Sequence, residues 1–238
     1  MKTIALINNK GGVGKTTVAI NLSAYLASKQ LKVLLIDLDW QRSAGLSLGF
    51  GRNPEGITIA DILFNNKPVK QGIRNTNIKN IDIIPASSEL ANKELIDLNM
   101  LKKQIKQVKG NYDFVFIDCN PGLSSLSKNA LVSADRVIIP ITPDYLSVEG
   151  LVLLTKELIY LDDSVKILFN QIDRRTRNTS EVIEFIRKEY KDKVFKIEIK
   201  RNIRITESAS WHKSIFDYDP HSTGAECFNE LGKEFLKW

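Results

Sequence analysis

The chain is poor in cysteine and histidine. Two of its 238 residues are cysteines, Cys119 and Cys227, and two are histidines, His212 and His221. Two cysteines exclude a disulfide-stapled scaffold and a four-cysteine zinc site, and neither histidine has metal-ligand spacing to the other or to a cysteine. We therefore expect no chemistry that depends on a Cys/His metal centre.

Long hydrophobic runs are also missing. No stretch of about 18 uncharged apolar residues occurs, which excludes a membrane-spanning helix. The apolar run near Met1 is short and meets glycines rather than a small-residue cleavage site, so it does not fit a secretory signal. These absences predict a cytoplasmic protein with reduced thiols.

Apolar and charged residues are both plentiful. Hydrophobic residues make up 43% of the chain and charged residues 26%, which is enough apolar material for a core and gives no signature of disorder. The net charge is +6, and residues 170–213 hold 12 basic and 7 acidic residues. This basic window fits a surface for a polyanion such as nucleic acid or anionic lipid. A merely solvated surface is the alternative.

Strand-like and helix-like segments alternate along the chain, which predicts an α/β fold with a mostly parallel, twisted sheet and helices on both faces. We expect one domain over residues 1–238, with no DNA-reading module before the first strand. The predicted strands are Thr3–Asn8, Lys32–Asp37, Ile81–Pro85, Tyr112–Asp118, Arg136–Ile141, Val165–Asn170 and Val194–Ile199. The predicted helices are Lys15–Ser28, Glu89–Val108, Leu123–Val132, Leu146–Tyr160, Ser180–Tyr190 and Thr223–Leu236. Residues 41–80 form the most irregular segment.

A glycine-rich segment joins the first predicted strand to the first predicted helix. It fits G-x-x-x-x-G-K-[ST] except that Asn9 replaces the first glycine. Glycines let successive backbone N–H groups face one anion, and the helix N-terminus adds its dipole. Lys15 can reach the β and γ phosphates of a nucleotide, and Thr16 can offer its hydroxyl to Mg²⁺. The predicted phosphate loop consists of Lys10, Gly11, Gly12, Val13, Gly14, Lys15, Thr16 and Thr17.

Carboxylates stand at the ends of two further predicted strands. Asp37 and Asp39 end the second strand, and alternation puts them on the same side of the chain. Asp118 follows the apolar run Phe114–Ile117 in the pattern of a Walker B motif. Ligands of parallel sheets bind at the carboxyl ends of the strands. We therefore expect Asp118 to hold Mg²⁺ through water. The alternative for Asp37 and Asp39 is that they cap helices or are solvated.

These motifs resemble those of the ParA/Soj partition ATPases, relatives of MinD. The family's deviant Walker A motif, K-G-G-V-G-K-T-T, stands here as Lys10–Thr17, and the resemblance spans nearly the whole chain. It implies a single-domain P-loop NTPase with ATP and Mg²⁺ as cofactors. It also implies an ATP-driven sandwich dimer. In that dimer, Lys10 of one subunit contacts the phosphates of the ATP bound by the other subunit, as an arginine finger does. Asp39 is then expected to orient the attacking water and Asp37 to support the metal shell.

The sequence departs from the family at three positions. Trp40 replaces a proline, Arg42 stands where glycine is common, and Asn120 replaces the first proline of D-x-P-P. Because of these departures, the family pattern does not predict the geometry of the loop at Trp40 and Arg42, the geometry of the loop at Asn120 or the rate of hydrolysis.

The resemblance also assigns residues to the nucleotide base. It implies that Asn170 contacts adenine, since an amide offers both a donor and an acceptor; the alternative is a turn residue at a strand end. The segment Tyr218–Ala225, with Pro220 in it, is expected to close over the adenine, and Ile141–Leu151 to shape the dimer face.

Partition ATPases bind DNA without sequence preference, and the basic window matches that behaviour. Such contacts are made to phosphate, so affinity falls steeply with salt. The predicted DNA-binding residues are Arg174, Arg175, Arg177, Lys200, Arg201 and Arg204. A second basic row, at helical spacing, fits a solvated face: Lys102, Lys103, Lys106 and Lys109.

We therefore expect a weak Mg²⁺-dependent ATPase that acts as a switch in plasmid or chromosome segregation. Its ATP dimer binds DNA on the nucleoid, and a centromere-binding, ParB-like partner stimulates hydrolysis and release. One alternative is a MinD-like membrane ATPase, suggested by the apolar stripe of the last predicted helix, Phe228, Leu231, Phe235 and Trp238. Packing of that stripe against the sheet is the simpler explanation. Another alternative is a cargo-positioning scaffold with negligible hydrolysis.

Overall fold

The structure, a computed structural model, describes residues 1–158, 164–173 and 177–238. The strands of these residues are β1 (Lys2–Leu6), β2 (Val33–Leu38), β3 (Arg74–Asn75), β4 (Ile81–Ile84), β5 (Phe114–Cys119), β6 (Arg136–Ile141) and β7 (Val165–Phe169). They form one sheet in the order β3-β4-β2-β5-β1-β6-β7. Every pairing is parallel except that of β3 with β4. The predicted fold class, a mostly parallel sheet with helices on both faces, is confirmed.

The helices of the described residues are α1 (Lys15–Ser28), α2 (Ser43–Ser47), α3 (Ile59–Phe64), α4 (Val69–Gly72), α5 (Met100–Lys106), α6 (Ser125–Ser133), α7 (Tyr145–Glu157), α8 (Arg177–Tyr190), α9 (Ile203–Ser210), α10 (Ile215–Tyr218) and α11 (Thr223–Lys237). Helix α1 has the predicted bounds. Helix α11 begins where predicted because Ser222 caps it, its hydroxyl oxygen accepting the Ala225 N–H at 3.1 Å.

Two hydrophobic clusters cover the two faces of the sheet. Along β1 and the residue after it, Ile4 and Leu6 belong to one cluster, and Ala5 and Ile7 belong to the other. Helices α1 and α11 pack on the first face, and α3, α5 and α6 pack on the second. Strands covered on both sides have no polar face, which explains their continuous apolar runs.

The predicted strand Val194–Ile199 is wrong. This segment runs beside β7, and Phe195 N–H donates to Ile167 C=O at 2.9 Å, but it joins the sheet only through isolated bridges. In its middle, the N–H groups of Lys196 and Ile197 donate instead to the Glu234 carboxylate of α11, at 2.8 and 3.1 Å. A side chain thus takes the amides that a regular ladder would use.

The predicted helix Glu89–Val108 is also wrong as one element. The structure has a 3₁₀ turn at Ser88–Asn92 and then α5, with irregular backbone between them. Helix α6 holds that backbone through side chains: Leu95 N–H donates to Ser125 Oγ at 2.9 Å, and Asn129 Nδ2 donates to Asp97 C=O at 3.1 Å. Tertiary hydrogen bonds therefore override the helical propensity of the segment.

Short elements fill regions where no helix was predicted. Residues 41–80, expected to be irregular, contain α2, α3, α4 and β3, none longer than six residues. Helices α9 and α10 were also missed. No helix in the described part of the chain combines the length and apolar character that a bilayer crossing requires.

Candidate nucleotide site

The phosphate loop lies at the point of the sheet where the strand order reverses. Strand β1 lies between β5 and β6; the chain leads from β1 to β2 on one side and later crosses from β5 over β1 to β6 on the other. The loop leaves the carboxyl end of β1, next to Asp118, which is in register with Leu6 of β1 and Asp37 of β2. Crevices at such switch points bind ligands in open α/β sheets. The three parallel strands thus deliver the loop and both carboxylates to one edge.

Gly14 supplies the tight turn from the loop into α1. Its φ of +89° lies in the left-handed region, and a Cβ placed on it would come within 2.1 Å of Asn170 Nδ2. That amide donates to Val13 C=O at 2.7 Å, and the neighbouring Gln171 Nε2 donates to Gly12 C=O at 2.7 Å. The end of β7 therefore anchors the loop by its carbonyl groups, which leaves the loop N–H groups to face a ligand.

Two buried charged side chains, Lys15 and Asp118, form the floor of the site together with the half-buried Thr16. Thr16 Oγ1 donates to Asp118 Oδ2 at 2.6 Å, and Lys15 is 6% exposed. Burial lowers the pKa of Lys15, although the charge of Asp118 acts the other way. Burial raises the pKa of Asp118 to about 7, against the opposing effects of the Thr16 hydrogen bond and the Lys15 charge.

The two carboxylates at the end of β2 have different surroundings. Asp37 is fully buried and accepts the N–H groups of Asp39 and Gly45, both at 3.0 Å, one on each carboxylate oxygen. Burial and the nearby Asp118 charge raise the pKa of Asp37 well above its ordinary value. Asp39 faces the cavity and accepts the N–H of Gln41 at 2.9 Å.

The donor set fits Mg²⁺ at Thr16 and Asp118. The Oδ1 atom of Asp118 is buried and has no hydrogen-bond partner among the described residues. A buried orphan oxygen beside a hydroxyl and a second carboxylate is typical of hard-cation ligands that share the ion with water and phosphate. No cluster of three or more His, Cys, Asp or Glu side chains that could cage a metal occurs in the described ranges. The role of Asp37 in the metal shell stays a prediction, since both of its oxygens already accept backbone N–H groups.

Lys10 points away from this floor. Its Nζ lies 2.7 Å from Asp144 Oδ2 and 3.4 Å from Thr142 Oγ1, and its side chain is 41% exposed. Asp144 also caps α7 by accepting the Ser147 N–H at 3.0 Å. Although burial acts to raise it, hydrogen bonds from Lys10, Thr142 and Ser147 hold the pKa of Asp144 below its ordinary value.

The cavity above the loop has a volume of about 420 Å³. Of the predicted residues, those that line it are Gly11, Gly12, Gly14, Lys15, Thr16, Thr17 and Asp39. Lys10, Val13, Asp37, Asp118, Asn170 and Pro220 do not line it. Asn170 is buried under the loop, and Pro220 is exposed after α10. The roles assigned to these two residues at the adenine stay predictions.

Sequence reasoning missed one wall of the cavity. Ile205, Ser208 and Ala209 of α9 line it, together with Lys213 just beyond. The available signal was Asn202, whose Oδ1 accepts the Arg204 N–H at 2.8 Å and so caps α9. An Asn before a polar–apolar alternation is a helix-start pattern.

Comparison with known proteins identifies the family. A family model described as an AAA domain matches residues 1–170. The sporulation initiation inhibitor protein Soj of Bacillus subtilis (strain 168) is 40% identical over 246 residues, which cover 98% of this chain and 97% of that protein. The chain belongs to the ParA/Soj family. The chromosome partitioning protein ParA of Myxococcus xanthus (strain DK1622) is 35% identical, with 99% of this chain and 88% of that protein covered.

A solved structure supports the same fold. The septum site-determining protein MinD of Pyrococcus horikoshii OT3, complexed with Mg-ADP, superposes with a TM-score of 0.83 at 26% identity, covering 99% of this chain and 96% of that one. ParA/Soj proteins are P-loop ATPases of chromosome partitioning. At the level of this family, the predictions of an ATP hydrolase, of ATP and Mg²⁺ as cofactors and of a partition role are confirmed.

The structure shows the local conformation or contacts of two residues that depart from the ParA/Soj pattern. Arg42 has a φ of +63°, in the left-handed region, which accounts for the frequency of glycine there. Asn120 Oδ1 accepts hydrogen bonds from Ser124 and Ser127 at 3.3 and 3.1 Å. In place of a rigid proline, this ParA/Soj chain ties the loop after β5 to the first turn of α6.

The predicted DNA-binding residues of this ParA/Soj chain are only partly placed. Lys200 and Arg201 are exposed beside the carboxyl end of β7, where Arg201 N–H donates to Ile172 C=O at 3.0 Å. Arg204 is paired with Glu207 at 3.0 Å and with Asp219 at 3.5 Å. Arg174 and Arg175 lie outside the described residues. Arg177 is the first residue of α8, and its side chain is likewise not described.

Proposed function

We propose that this chain is a Mg²⁺-dependent ATPase switch for DNA segregation, which dimerises on ATP and binds DNA as a dimer. The observation that carries the proposal is that the two lysines of the loop have different positions. Lys15 is buried and lines the cavity, whereas Lys10 is half-exposed, lies outside the cavity and ends on Asp144 at the surface. A lysine placed in this way is available to a second subunit.

The first step is nucleotide binding. The N–H groups of the loop and the α1 dipole hold the phosphates, and Lys15 neutralises charge on the β and γ phosphates. Thr16 Oγ1 and Asp118, 2.6 Å apart, would hold Mg²⁺, directly and through water. When bound, Mg²⁺ neutralises charge on the phosphate oxygens. The MinD structure with Mg-ADP supports this step, because it shares the fold around the loop.

The second step is dimer formation. Lys10 exchanges Asp144 for the phosphates of the partner's nucleotide and so stabilises the developing negative charge. Asp39, which faces the cavity, orients the attacking water. The ion pair with Asp144 is surface-exposed and therefore weak, so the exchange costs little.

The third step couples the dimer to DNA. A switch requires two states of different DNA affinity, one of which ATP binds better. In the ATP dimer, the basic residues near Lys200 and Arg201 of both subunits contact phosphates. A centromere-binding, ParB-like partner then stimulates hydrolysis, and the subunits leave the nucleoid. The similarity to the chromosome partitioning protein ParA of M. xanthus supports this assignment.

The test combines ultracentrifugation, ATP turnover and duplex binding for wild type and matched variants. We expect Lys10→Ala to bind ATP but to lose the dimer or turnover, and Asp39→Ala to dimerise, stop hydrolysing and remain on DNA. Lys102→Ala, an exposed lysine of α5, is the control and should behave as wild type. Wild-type dimerisation and turnover in Lys10→Ala would refute the role of this lysine across the interface.

The membrane alternative loses its main feature in the structure. Phe228, Leu231 and Phe235 of α11 are fully buried against the sheet, so this stripe is not free to enter a lipid interface. Co-sedimentation with anionic liposomes separates the two functions: we expect no ATP-dependent pelleting. Measured turnover with Mg²⁺ and DNA likewise separates an active ATPase from a scaffold with negligible hydrolysis.

A further inference from the structure

A groove of about 590 Å³ lies at the amino-terminal edge of the sheet, opposite the nucleotide cavity. Lys166 near the start of β7, Lys196 beside it, and Lys233 and Lys237 at the end of α11 line the groove, with Trp238 among them. The first of these lysines lies over the rings of Phe195 and Trp238, at 5.4 and 5.8 Å from their centroids. Four cations therefore converge on one concavity that the nucleotide does not use.

The acidic residues of the groove are already engaged. Glu234 accepts the backbone N–H groups of Lys196 and Ile197, and Glu230 lies 2.6 Å from Lys233. Lys166 Nζ donates to the backbone C=O of Asp192 at 3.1 Å, a contact that leaves its charge in place. The groove lining thus carries four lysines against two glutamates, which leaves an excess of positive charge.

The edge segment connects this groove to the other end of the sheet. Residues 194–200 run beside β7 from its middle to beyond its end, with Val194 bridged to Ile167 and Lys200 to Ile172. Phe195 and Ile199 are buried, while Lys196 and Lys200 are exposed on the outer side. Four extended residues span about 13 Å. This distance matches the rise along the duplex axis over roughly four phosphates of one strand.

We propose that the groove is a second DNA-phosphate contact, continuous along the β7 edge with Lys200 and Arg201. The inference deepens the proposed function and rests on it. Charge complementarity favours a polyanion, and the concave shape fits the ridge of a duplex backbone better than the flat surface of a bilayer. Phosphate contacts of this kind add affinity without sequence preference.

The test measures the salt dependence of duplex binding by the ATP-bound protein. The groove variant is Lys196→Gln with Lys237→Gln, both exposed side chains. The matched control is Lys102→Gln with Lys106→Gln, which removes the same charge from α5 on the opposite face of the sheet. We expect the slope of log affinity against log salt to become less negative by about 2 in the groove variant only. Between 50 and 200 mM salt, the affinity of the wild type should then drop by a factor about ten times larger than the affinity of the groove variant does. Circular dichroism melting checks that both variants fold.

The outcomes separate the two levels of the proposal. A wild-type chain that binds no duplex with ATP and Mg²⁺ at low salt overturns the proposed function itself. A wild type that binds, with a groove variant of equal slope, overturns only the groove. An equal change in the α5 control assigns the effect to net charge and also overturns the groove. Loss of binding to phosphatidylglycerol vesicles, with duplex binding intact, would assign the groove to lipid instead.

Discussion

Lys10 Nζ lies 2.7 Å from Asp144 Oδ2, so the lysine that we assign to the partner's nucleotide is first bound by a carboxylate of its own chain. The two residues are 134 positions apart and meet because β1 and β6 are adjacent parallel strands. Asp144 also caps α7, so the position of Lys10 is linked to the start of that helix. Dimer formation therefore competes with a contact inside the subunit.

Asp144→Asn should favour the ATP dimer. The amide keeps an oxygen to accept the Ser147 N–H, so the α7 cap remains, but the charge that holds Lys10 is removed. Because an exposed ion pair is worth at most about 1 kcal/mol, we expect dimerisation to strengthen by no more than about fivefold. Sedimentation equilibrium with ATP measures it. A weaker dimer would mean that Asp144 aims Lys10 at the partner rather than withholding it.

Thr16→Ala should remove the benefit of Mg²⁺ for ATP binding. The hydroxyl now donates to Asp118 Oδ2 at 2.6 Å, and its loss leaves that buried carboxylate without its donor and the metal without a ligand. A hydrogen bond to a charged group contributes about 1.5–3 kcal/mol, so the Mg²⁺-dependent gain in affinity should drop about tenfold or more. Titration of a fluorescent ATP analogue with Mg²⁺ and with chelator measures the gain. Thr16→Ser, which keeps the hydroxyl, is the control, and an equal loss there would contradict the explanation.

Lys15→Ala should abolish useful ATP binding. Its ammonium is the buried cation nearest Asp118 and Asp39, and no other lysine among the described residues lines the cavity beside the loop except Lys213 at the far wall. Loss of one charged contact to phosphate predicts an affinity at least about tenfold lower. Calorimetric titration with ATP tests this, with Lys213→Ala as the comparison. If the two variants bound equally well, Lys15 would not be the principal phosphate ligand.

Gly14→Ala should destabilise the protein more than Gly12→Ala does. Both glycines have positive φ, but a Cβ meets Asn170 Nδ2 only at Gly14, while nothing lies within 4 Å of one at Gly12. Left-handed backbone costs a non-glycine residue about 1–2 kcal/mol, and losing the buried Asn170 bond adds about 1–3 kcal/mol at Gly14 only. We expect a melting temperature lower by roughly 5–10 °C for Gly14→Ala and by less for Gly12→Ala. Similar melting temperatures for both would remove Asn170 as the anchor of the loop.

Local patterns were enough for much of the fold and for the phosphate loop. Helix α1 has its predicted bounds because the turn at Gly14 and the run that follows encode it within a few residues. The failures are long-range. Val194–Ile199 has a strand-like sequence, but Glu234 of α11 accepts hydrogen bonds from its central amides. Asn129 and Ser125 of α6 hydrogen-bond to irregular backbone within the segment that was predicted as one helix.

The sequence alone was enough to predict that the eight residues Lys10–Thr17 wrap an anion, because glycine torsions and a helix N-terminus are local properties. Three contacts could be seen only in the folded structure. They are the hydrogen bond of Thr16 to Asp118, the position of Asn170 under the loop and the ion pair of Lys10 with Asp144. Those pairs are joined by strand order and register. A side chain's partner across more than a hundred residues depends on how the whole sheet assembles, which no local pattern contains.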